Sequence, residues 1–88
     1  MKIKAGFIVR EVAGTFLAIA TGELSKTYHG SLTLNSSAKF LFDNMQEDTT
    51  KEELVKKLVE YYDDLDEATA LSAVEGFVYK LEEAILLD

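Results

Sequence analysis

The sequence predicts an α+β domain of winged-helix type, in which a three-stranded antiparallel sheet precedes three helices. Three observations carry this prediction. Runs rich in β-branched and aromatic residues occupy the first third of the chain, apolar residues at helical spacing occupy the rest, and no proline occurs anywhere. A sheet of three short strands is not stable alone, so the helices must cover one of its faces.

The first two strands are predicted in "GFIVREV" and "TFLAIAT", which Ala13 and Gly14 separate. A two-residue gap of this kind indicates a hairpin, although Ala-Gly is a weaker turn signal than Asn-Gly. The polar segment "GELSK" then leads to a third strand, predicted from Thr27 to Leu34. Gly30 lies inside that strand, where it marks either a bulge or a point that another backbone approaches closely.

Each helix has a start signal. Asn35 is a good N-cap for the first helix, "SSAKFLFDNMQ". Thr50 and Glu53 have the spacing of a capping box at the start of the second, "DTTKEELVKKLVEYY". The third and longest, "DDLDEATALSAVEGFVYKLEEAILL", is predicted to be capped by Asp64 or Asp66.

The third helix has an apolar arc wider than a single core stripe. The predicted core stripe consists of Leu71, Val74, Val78, Leu81 and Ile85, and beside it lie Ala70, Ala73, Phe77 and Ala84. One interpretation is that the small domain packs around this helix on more than one side. The other is that Phe77 and its neighbouring alanines line an open apolar trough. The residues alone favour the first interpretation.

Composition limits the classes of function. The 88 residues, 48% of them hydrophobic, fit a single domain spanning residues 1–88 with a core of its own. The net charge of −7 argues against nucleic acid, because binding to phosphates needs clustered basic residues. The chain has no cysteine and no long apolar run, and Arg10 and Glu11 interrupt the first one, so we expect a cytoplasmic protein without a signal peptide.

The sequence offers little for catalysis. His29 is the only histidine, and there is no cysteine to act with it as a nucleophile. Adjacent carboxylates such as Glu52 and Glu53 point in different directions on a helix, so they do not converge on one substrate. No nucleotide-binding or calcium-binding motif is present. We therefore predict a protein that is not an enzyme and that needs no cofactor or metal.

Taken in order, three segments resemble the PqqD family along nearly the whole chain. Gly30 precedes a Leu34-Asn35 pair at the strand-to-helix junction, and a Thr-x-x-Glu-Leu pattern starts the second helix. Val74, Phe77 and Leu81 then form Val-x-x-Phe-x-x-x-Leu in the third helix. Two positions depart from the family: Ala73 stands where an acidic residue is common, and Ile85 where a glycine is common.

The resemblance implies a RiPP recognition element, the peptide-binding module of ribosomal peptide natural-product pathways. Such a module binds the leader of a precursor peptide without catalysing a reaction, and presents it to a modifying enzyme, commonly a radical S-adenosylmethionine (radical SAM) protein. An incoming chain would pair with the edge of the third strand, and an apolar trough beside the third helix would accept its side chains. The peptide-binding residues expected on this basis are Thr27, Tyr28, His29, Gly30, Ser31, Leu32, Thr33, Ala70, Ala73, Val74, Phe77 and Leu81.

Two other functions remain as alternatives. A winged-helix domain can bind nucleic acid, but Lys80 is the only basic residue of the third helix, which suits a phosphate backbone poorly. The chain could also be a structural subunit that binds a partner protein and no leader peptide. A homodimer is a further outcome to consider, because an exposed edge strand can pair with a second copy of itself.

Overall fold

The computed structural model describes all residues, 1–88, and confirms the α+β prediction of three strands followed by three helices. The elements are β1 (Phe7–Val12), β2 (Thr15–Ala20), a short 3-10 helix (Gly22–Lys26), β3 (Ser31–Leu34), α1 (Ser36–Asn44), α2 (Lys51–Tyr61) and α3 (Glu67–Glu83). The sheet is antiparallel with the strand order β1-β2-β3. Its inner face packs on the helices, and both outer strands are sheet margins.

The β1–β2 hairpin turns at the predicted residues. Val12 pairs with Thr15, and the two residues between them, Ala13 and Gly14, have φ values of 52° and 79°. Two consecutive positive φ values define the type I′ turn, whose twist matches that of the flanking strands. Glycine adopts this geometry at little cost, whereas the alanine is held in a left-handed conformation that its Cβ disfavours.

The third strand is shorter than the sequence predicts. We expected it to begin at Thr27, but residues 27–30 lie outside it and β3 is only Ser31–Leu34. The 3-10 helix is the reason, because the backbone N–H groups of Thr27 and Tyr28 both donate to the carbonyl of its buried residue Leu24, at 3.2 and 2.9 Å. Ser31 is also the first β3 residue with a partner in β2, Ile19.

The helix starts follow the capping signals of the sequence. The Asn35 side chain accepts a hydrogen bond from the Ala38 N–H at 2.9 Å, and the Thr50 hydroxyl accepts one from the Glu53 N–H at 3.2 Å. Of the two candidate caps of α3, Asp66 is the one used: its carboxylate accepts from the Thr69 N–H at 2.7 Å. That bond holds the pKa of the Asp66 carboxyl below its ordinary value of 3.8.

The buried face of α3 differs in part from the predicted stripe. Val74, Val78 and Leu81 are buried as expected, but Leu71 is 43% exposed and Ile85 is 73% exposed. Ala70 and Phe77, which lie beside the predicted stripe, are buried instead of Leu71 and Ile85. The buried side of α3 is therefore rotated toward Ala70 and Phe77, because that side packs on α2 and on the hydrophobic core.

A left-handed residue ends α3. Ile85 has a φ of 57°, the N–H of Ile85 donates to the Glu82 carbonyl, and the N–H of Leu86 donates to the Leu81 carbonyl. These two bonds define a Schellman motif, in which glycine normally occupies the left-handed position. Ile85 was predicted to lie in the core, and it is exposed because the chain reverses at this residue while Leu86 turns inward and is buried.

The two ends of the chain pair with each other. Ile3 and Leu87 form an isolated antiparallel bridge, and the backbone N–H of Lys4 donates to the Leu86 carbonyl at 2.8 Å. The N–H of Asp88 also donates to the Lys2 carbonyl, so the residues after α3 pair with the first residues of the chain, and none of their backbone bonds is to β3. No helix has the length and apolar character needed to cross a bilayer.

Candidate functional site

The free margin of β3 is the first component of the candidate site. β3 pairs with β2 on one side only. None of the backbone hydrogen bonds outside the helices and strands involves residues 31–34, and no side chain bonds to them either. An edge strand in this state presents unpaired N–H and C=O groups that another extended chain can satisfy.

The strand register identifies which backbone groups of β3 face outward. Val12 and Thr15 close a two-residue turn, and the closing pair of such a turn exchanges both of its hydrogen bonds. Because bonding alternates along an antiparallel strand, odd-numbered residues of β2 bond toward β1 and even-numbered ones toward β3. The 2.7 Å bond from the Thr21 N–H to the Gly6 carbonyl follows the same alternation.

Two residues of β3 therefore direct their backbone away from the sheet. Leu34 and Leu32 lie opposite the even-numbered Phe16 and Ala18 and bond to them. Ser31 and Thr33 alternate with those leucines, so their N–H and C=O groups point to the free margin. The margin thus offers two donors and two acceptors, spaced two residues apart.

A groove between β3 and α3 is the second component. It consists of two adjoining cavities, of about 350 and about 310 Å³, that share Asn35, Ala38, Phe77 and Lys80. We call it the β3–α3 groove. The first cavity is bounded by the whole of β3; the second runs between α1 and α3, where it is lined in addition by Ser37, Leu41, Ser72, Ala73 and Gly76.

Small residues keep the groove open. Ala38, Ala73 and Gly76 carry at most one side-chain carbon, so α1 and α3 leave space between them. Phe77 forms part of the wall and is 8% exposed, so most of its ring packs into the core and only a strip faces the groove. An open groove is therefore present beside Phe77 and Ala73. It is shallow at Phe77, because most of the phenylalanine ring is buried in the core.

The opposite margin of the sheet, at β1, has no comparable groove. Its outward-facing backbone groups belong to Phe7, Val9 and Glu11 by the same alternation. No principal cavity is lined by β1 residues. Arg10 and Glu11 place opposite charges at its exposed end, a common protection of an edge strand against pairing. The two margins are therefore not equivalent.

The structure brings together only part of the residue set predicted from the sequence. Ser31, Leu32, Thr33, Ala73 and Phe77 line the β3–α3 groove. Ala70, Val74 and Leu81 are fully buried in the core beneath it and do not line it. Thr27, Tyr28, His29 and Gly30 precede β3; of these, Tyr28 packs edge-on against Phe7 with ring centroids 6.0 Å apart.

The sequence reasoning missed the residues that α1 and the outer side of α3 contribute. In the sequence, Lys80 entered only as the single basic residue of a helix that suits a phosphate backbone poorly, yet it lines both cavities. Asn35 was identified only as a helix cap, although it stands where the two cavities meet. The spacing of Ala73, Phe77 and Lys80 along one side of α3 is the signal that indicates a shared face.

No three His, Cys, Asp or Glu side chains come together in a way that would hold a metal ion. Every buried side-chain nitrogen and oxygen has a hydrogen-bond partner. The polar atoms of the β3–α3 groove are hydroxyl, amide and amino groups together with the outward backbone of β3. What such an arrangement can do is bind an extended chain by its backbone and select among side chains.

Residues 17–87 match the model of the family described as "Coenzyme PQQ synthesis protein D (PqqD)". The chain belongs to the PqqD family. This confirms the resemblance predicted from the ordered motifs of the sequence. The match begins within β2, so it includes β3 and all three helices of this PqqD-family domain and leaves out β1. No curated protein sequence matches the chain.

The PqqD-family domain is also similar in structure to a solved protein, "TbiB1 in Complex with the TbiA(beta) Leader Peptide". The two share 17% sequence identity with a TM-score of 0.73, and the alignment covers 100% of this chain and 95% of that one. At this level of identity the similarity concerns the fold. It includes every strand and helix described above.

Proposed function

We propose that this PqqD-family domain is a non-catalytic peptide-binding module of the RiPP recognition element type. It captures the leader of a ribosomally made precursor peptide as an added strand on β3. It then presents the peptide to a modifying enzyme, which we propose is a radical SAM protein. The observation that carries the proposal is the free margin of β3 next to a groove.

The backbone of β3 supports strand addition. Ser31 and Thr33 each offer one N–H and one C=O to an incoming chain, which permits about four main-chain hydrogen bonds. Hydrogen bonds of this kind contribute about 0.5–1.5 kcal/mol each. They depend little on the guest's sequence, so they supply affinity without selecting one leader over another.

The β3–α3 groove supports selection. Guest side chains alternate between the two faces of the extended sheet, so every second one would lie over Leu32, Ala73 and Phe77. Burying one large apolar side chain there is worth about 1.5–3 kcal/mol. That difference is sufficient to rank leader sequences by affinity.

The similar structure supports the same reading, because TbiB1 was solved with a leader peptide bound. The family's description as a coenzyme synthesis protein is consistent with a biosynthetic role. The groove has no cysteine, histidine or carboxylate among its lining residues, which favours binding over catalysis. We place the module in the cytoplasm, where ribosomal precursors are made.

The test is a titration with synthetic leader peptides, including the TbiA(beta) leader of the similar structure, followed by amide NMR. The free N–H groups of Ser31 and Thr33 should exchange rapidly with solvent and become protected on binding. The N–H groups of Leu32 and Leu34 are already paired with β2, so their protection should change little. Resonances of Ala73, Gly76 and Phe77 should shift at the same time.

This alternation distinguishes strand addition from other modes of binding. Uniform shifts throughout α3 without protection of Ser31 and Thr33 would mean that the peptide binds the helix and not the strand. A saturating leader that changes neither region would contradict the proposed function.

A further inference from the structure

Lys80 is the only charged residue that lines the β3–α3 groove. It borders both cavities, next to Phe77, while the other polar lining residues are neutral serine, threonine and asparagine side chains. The chain as a whole carries a net charge of −7, and the two residues that follow Leu81 are both glutamates. Lys80 is thus a local positive charge on an acidic molecule.

The Lys80 amino group has no acidic partner. The three salt bridges of the structure are formed by the N-terminal amine, Lys26 and Lys39. Glu83 lies three residues further along α3, a spacing that permits an ion pair on a helix, but none forms. The amino group, on an exposed residue, is therefore available to a carboxylate that enters the groove.

The geometry also gives the position of that carboxylate in the guest. Phe77 and Lys80 are three residues apart on α3, which is a rise of about 4.5 Å along the helix axis. Side chains on the same face of a guest strand repeat at about 6.6–6.8 Å, every second residue. For a guest strand that runs along α3, a side chain over Phe77 and the next one on the same face therefore lie near Phe77 and Lys80, since a lysine side chain spans the remaining distance.

We infer that the β3–α3 groove prefers peptides that carry an aspartate or glutamate two positions from a large apolar residue. The apolar side chain fills the space beside Phe77, and the acidic one pairs with Lys80. This inference rests on the proposed peptide-binding function and names the class of guest that the site selects. The residue between the two projects to the opposite face of the sheet and is not selected by the groove.

The experiment is a selection of random peptides displayed on bacteriophage, run in parallel on the wild-type domain, Lys80→Glu and Lys56→Glu. Lys80 and Lys56 are both exposed and without an ion pair, so both variants should fold, which thermal unfolding checks. Both change the net charge of the domain equally. Lys56 is on α2, lines no principal cavity and controls for the overall charge.

The wild type and Lys56→Glu should enrich the apolar–any–acidic pattern in one chain direction. Lys80→Glu should keep the apolar residue and exchange the acidic one for lysine or arginine. Replacing the selected acid by its amide should weaken binding to the wild type by about two- to fivefold at low salt, with a smaller effect at high salt.

The failures of the two proposals are distinguishable. If all three proteins enrich the same apolar peptides with no preferred charge, the role of Lys80 is wrong and peptide binding stands. If the enriched peptides bind equally well after Thr33→Pro, the free margin is not used, and the proposed function fails together with the inference. A selection that enriches no peptide on the wild type would likewise contradict both the proposed function and the inference.

Discussion

The backbone N–H of Leu86 donates to the carbonyl of Leu81 at 2.9 Å, across a residue in the left-handed conformation, Ile85. This bond ends α3 and turns Leu86 into the core, where it is 1% exposed. A β-branched residue is unfavourable at the left-handed position, because its Cβ substituents crowd the backbone.

Ile85→Gly should therefore stabilise the domain. Relief of the left-handed strain is worth about 1–2 kcal/mol, from which the greater entropy of glycine in the unfolded chain subtracts about 0.5–1 kcal/mol. Little burial is lost, since Ile85 is 73% exposed. A net gain of about 0.5–1 kcal/mol corresponds to a rise in Tm of several degrees for a domain of this size.

Differential scanning calorimetry measures that rise, and Ala84→Gly is its matched control. Ala84 is the neighbouring residue, with an ordinary helical φ of −87°, so glycine there should lower the Tm. Equal changes in both variants would contradict the Schellman geometry at Ile85.

The cap of α3 should make stability depend on pH in the acid range. The Thr69 N–H bond lowers the pKa of Asp66 from 3.8, so the folded state favours the ionised carboxyl. A lowered pKa gives a contribution that is complete above the unfolded-state value and is lost as pH falls through the folded-state value. Wild-type Tm should therefore fall in that acid window in part because of Asp66.

Asp66→Asn isolates this contribution, because asparagine caps a helix without titrating. Its Tm should approach or exceed that of the wild type below the folded-state pKa, and Asp66→Ala should be less stable than both at neutral pH. A constant difference between wild type and Asp66→Asn across the acid range would show that the Asp66 cap does not titrate as described.

Proline at Thr33 should weaken peptide binding more than it weakens the fold. The Thr33 N–H faces the free margin, so its removal leaves the β2–β3 bonds in place. A guest loses the bond to that N–H and meets the proline ring, which should reduce its affinity by about tenfold, the value of one or two hydrogen bonds.

Isothermal titration with the leader peptide measures the effect of Thr33→Pro. Glu11→Pro is the matched control, since Glu11 faces outward at the β1 margin, and its affinity should equal that of the wild type. An affinity lost in Glu11→Pro and kept in Thr33→Pro would place the guest on β1. Sedimentation of the free proteins reports in the same samples whether either margin pairs two copies.

Gly30→Ala should affect binding without affecting the fold. A Cβ at Gly30 would meet only the ring end of Tyr28, at 3.8 Å, which is an ordinary contact, and the backbone there has no positive φ. The Tm should fall by no more than about 2–4 °C, and it should rise if the lower entropy of the unfolded alanine chain dominates. If a guest backbone passes close to Gly30, its affinity should fall, and Ser31→Ala, one residue further on, should bind as the wild type does. If Gly30→Ala binds the peptide as tightly as the wild type, the guest backbone does not pass close to Gly30.

The elements of this fold could be predicted where local chemistry decides them. The hairpin at Ala13-Gly14 and the caps at Asn35 and Thr50 depend on residues within a few positions of each other, and all are present in the structure. Which of Asp64 and Asp66 caps α3 could be decided only from the path of the backbone in the structure. The length of β3 also depended on that path, because the Leu24 carbonyl holds Thr27 and Tyr28 in the turn that ends the 3-10 helix.

The peptide-binding residues remain a prediction, and the structure places only some of them at the groove for a related reason. A helical arc shows which residues are apolar, but not which side of the arc the rest of the domain covers. Ala70 and Val74 are consequently in the core, whereas Ala73 lines the β3–α3 groove. Lys80 could be assigned to the groove only once α3 was placed against β3, since its sequence neighbours are glutamates and apolar residues.

The sheet carries helices on one face only, and this has a consequence for any chain that joins it at Ser31 and Thr33. Half of the added chain's side chains would be covered by the helices, and the other half would remain exposed on the bare face, beside Ser31 and Thr33. A second protein could then contact these exposed side chains while the peptide stays bound to β3. Because side chains alternate along a pleated strand, the pairing that binds the peptide would also leave every second side chain accessible.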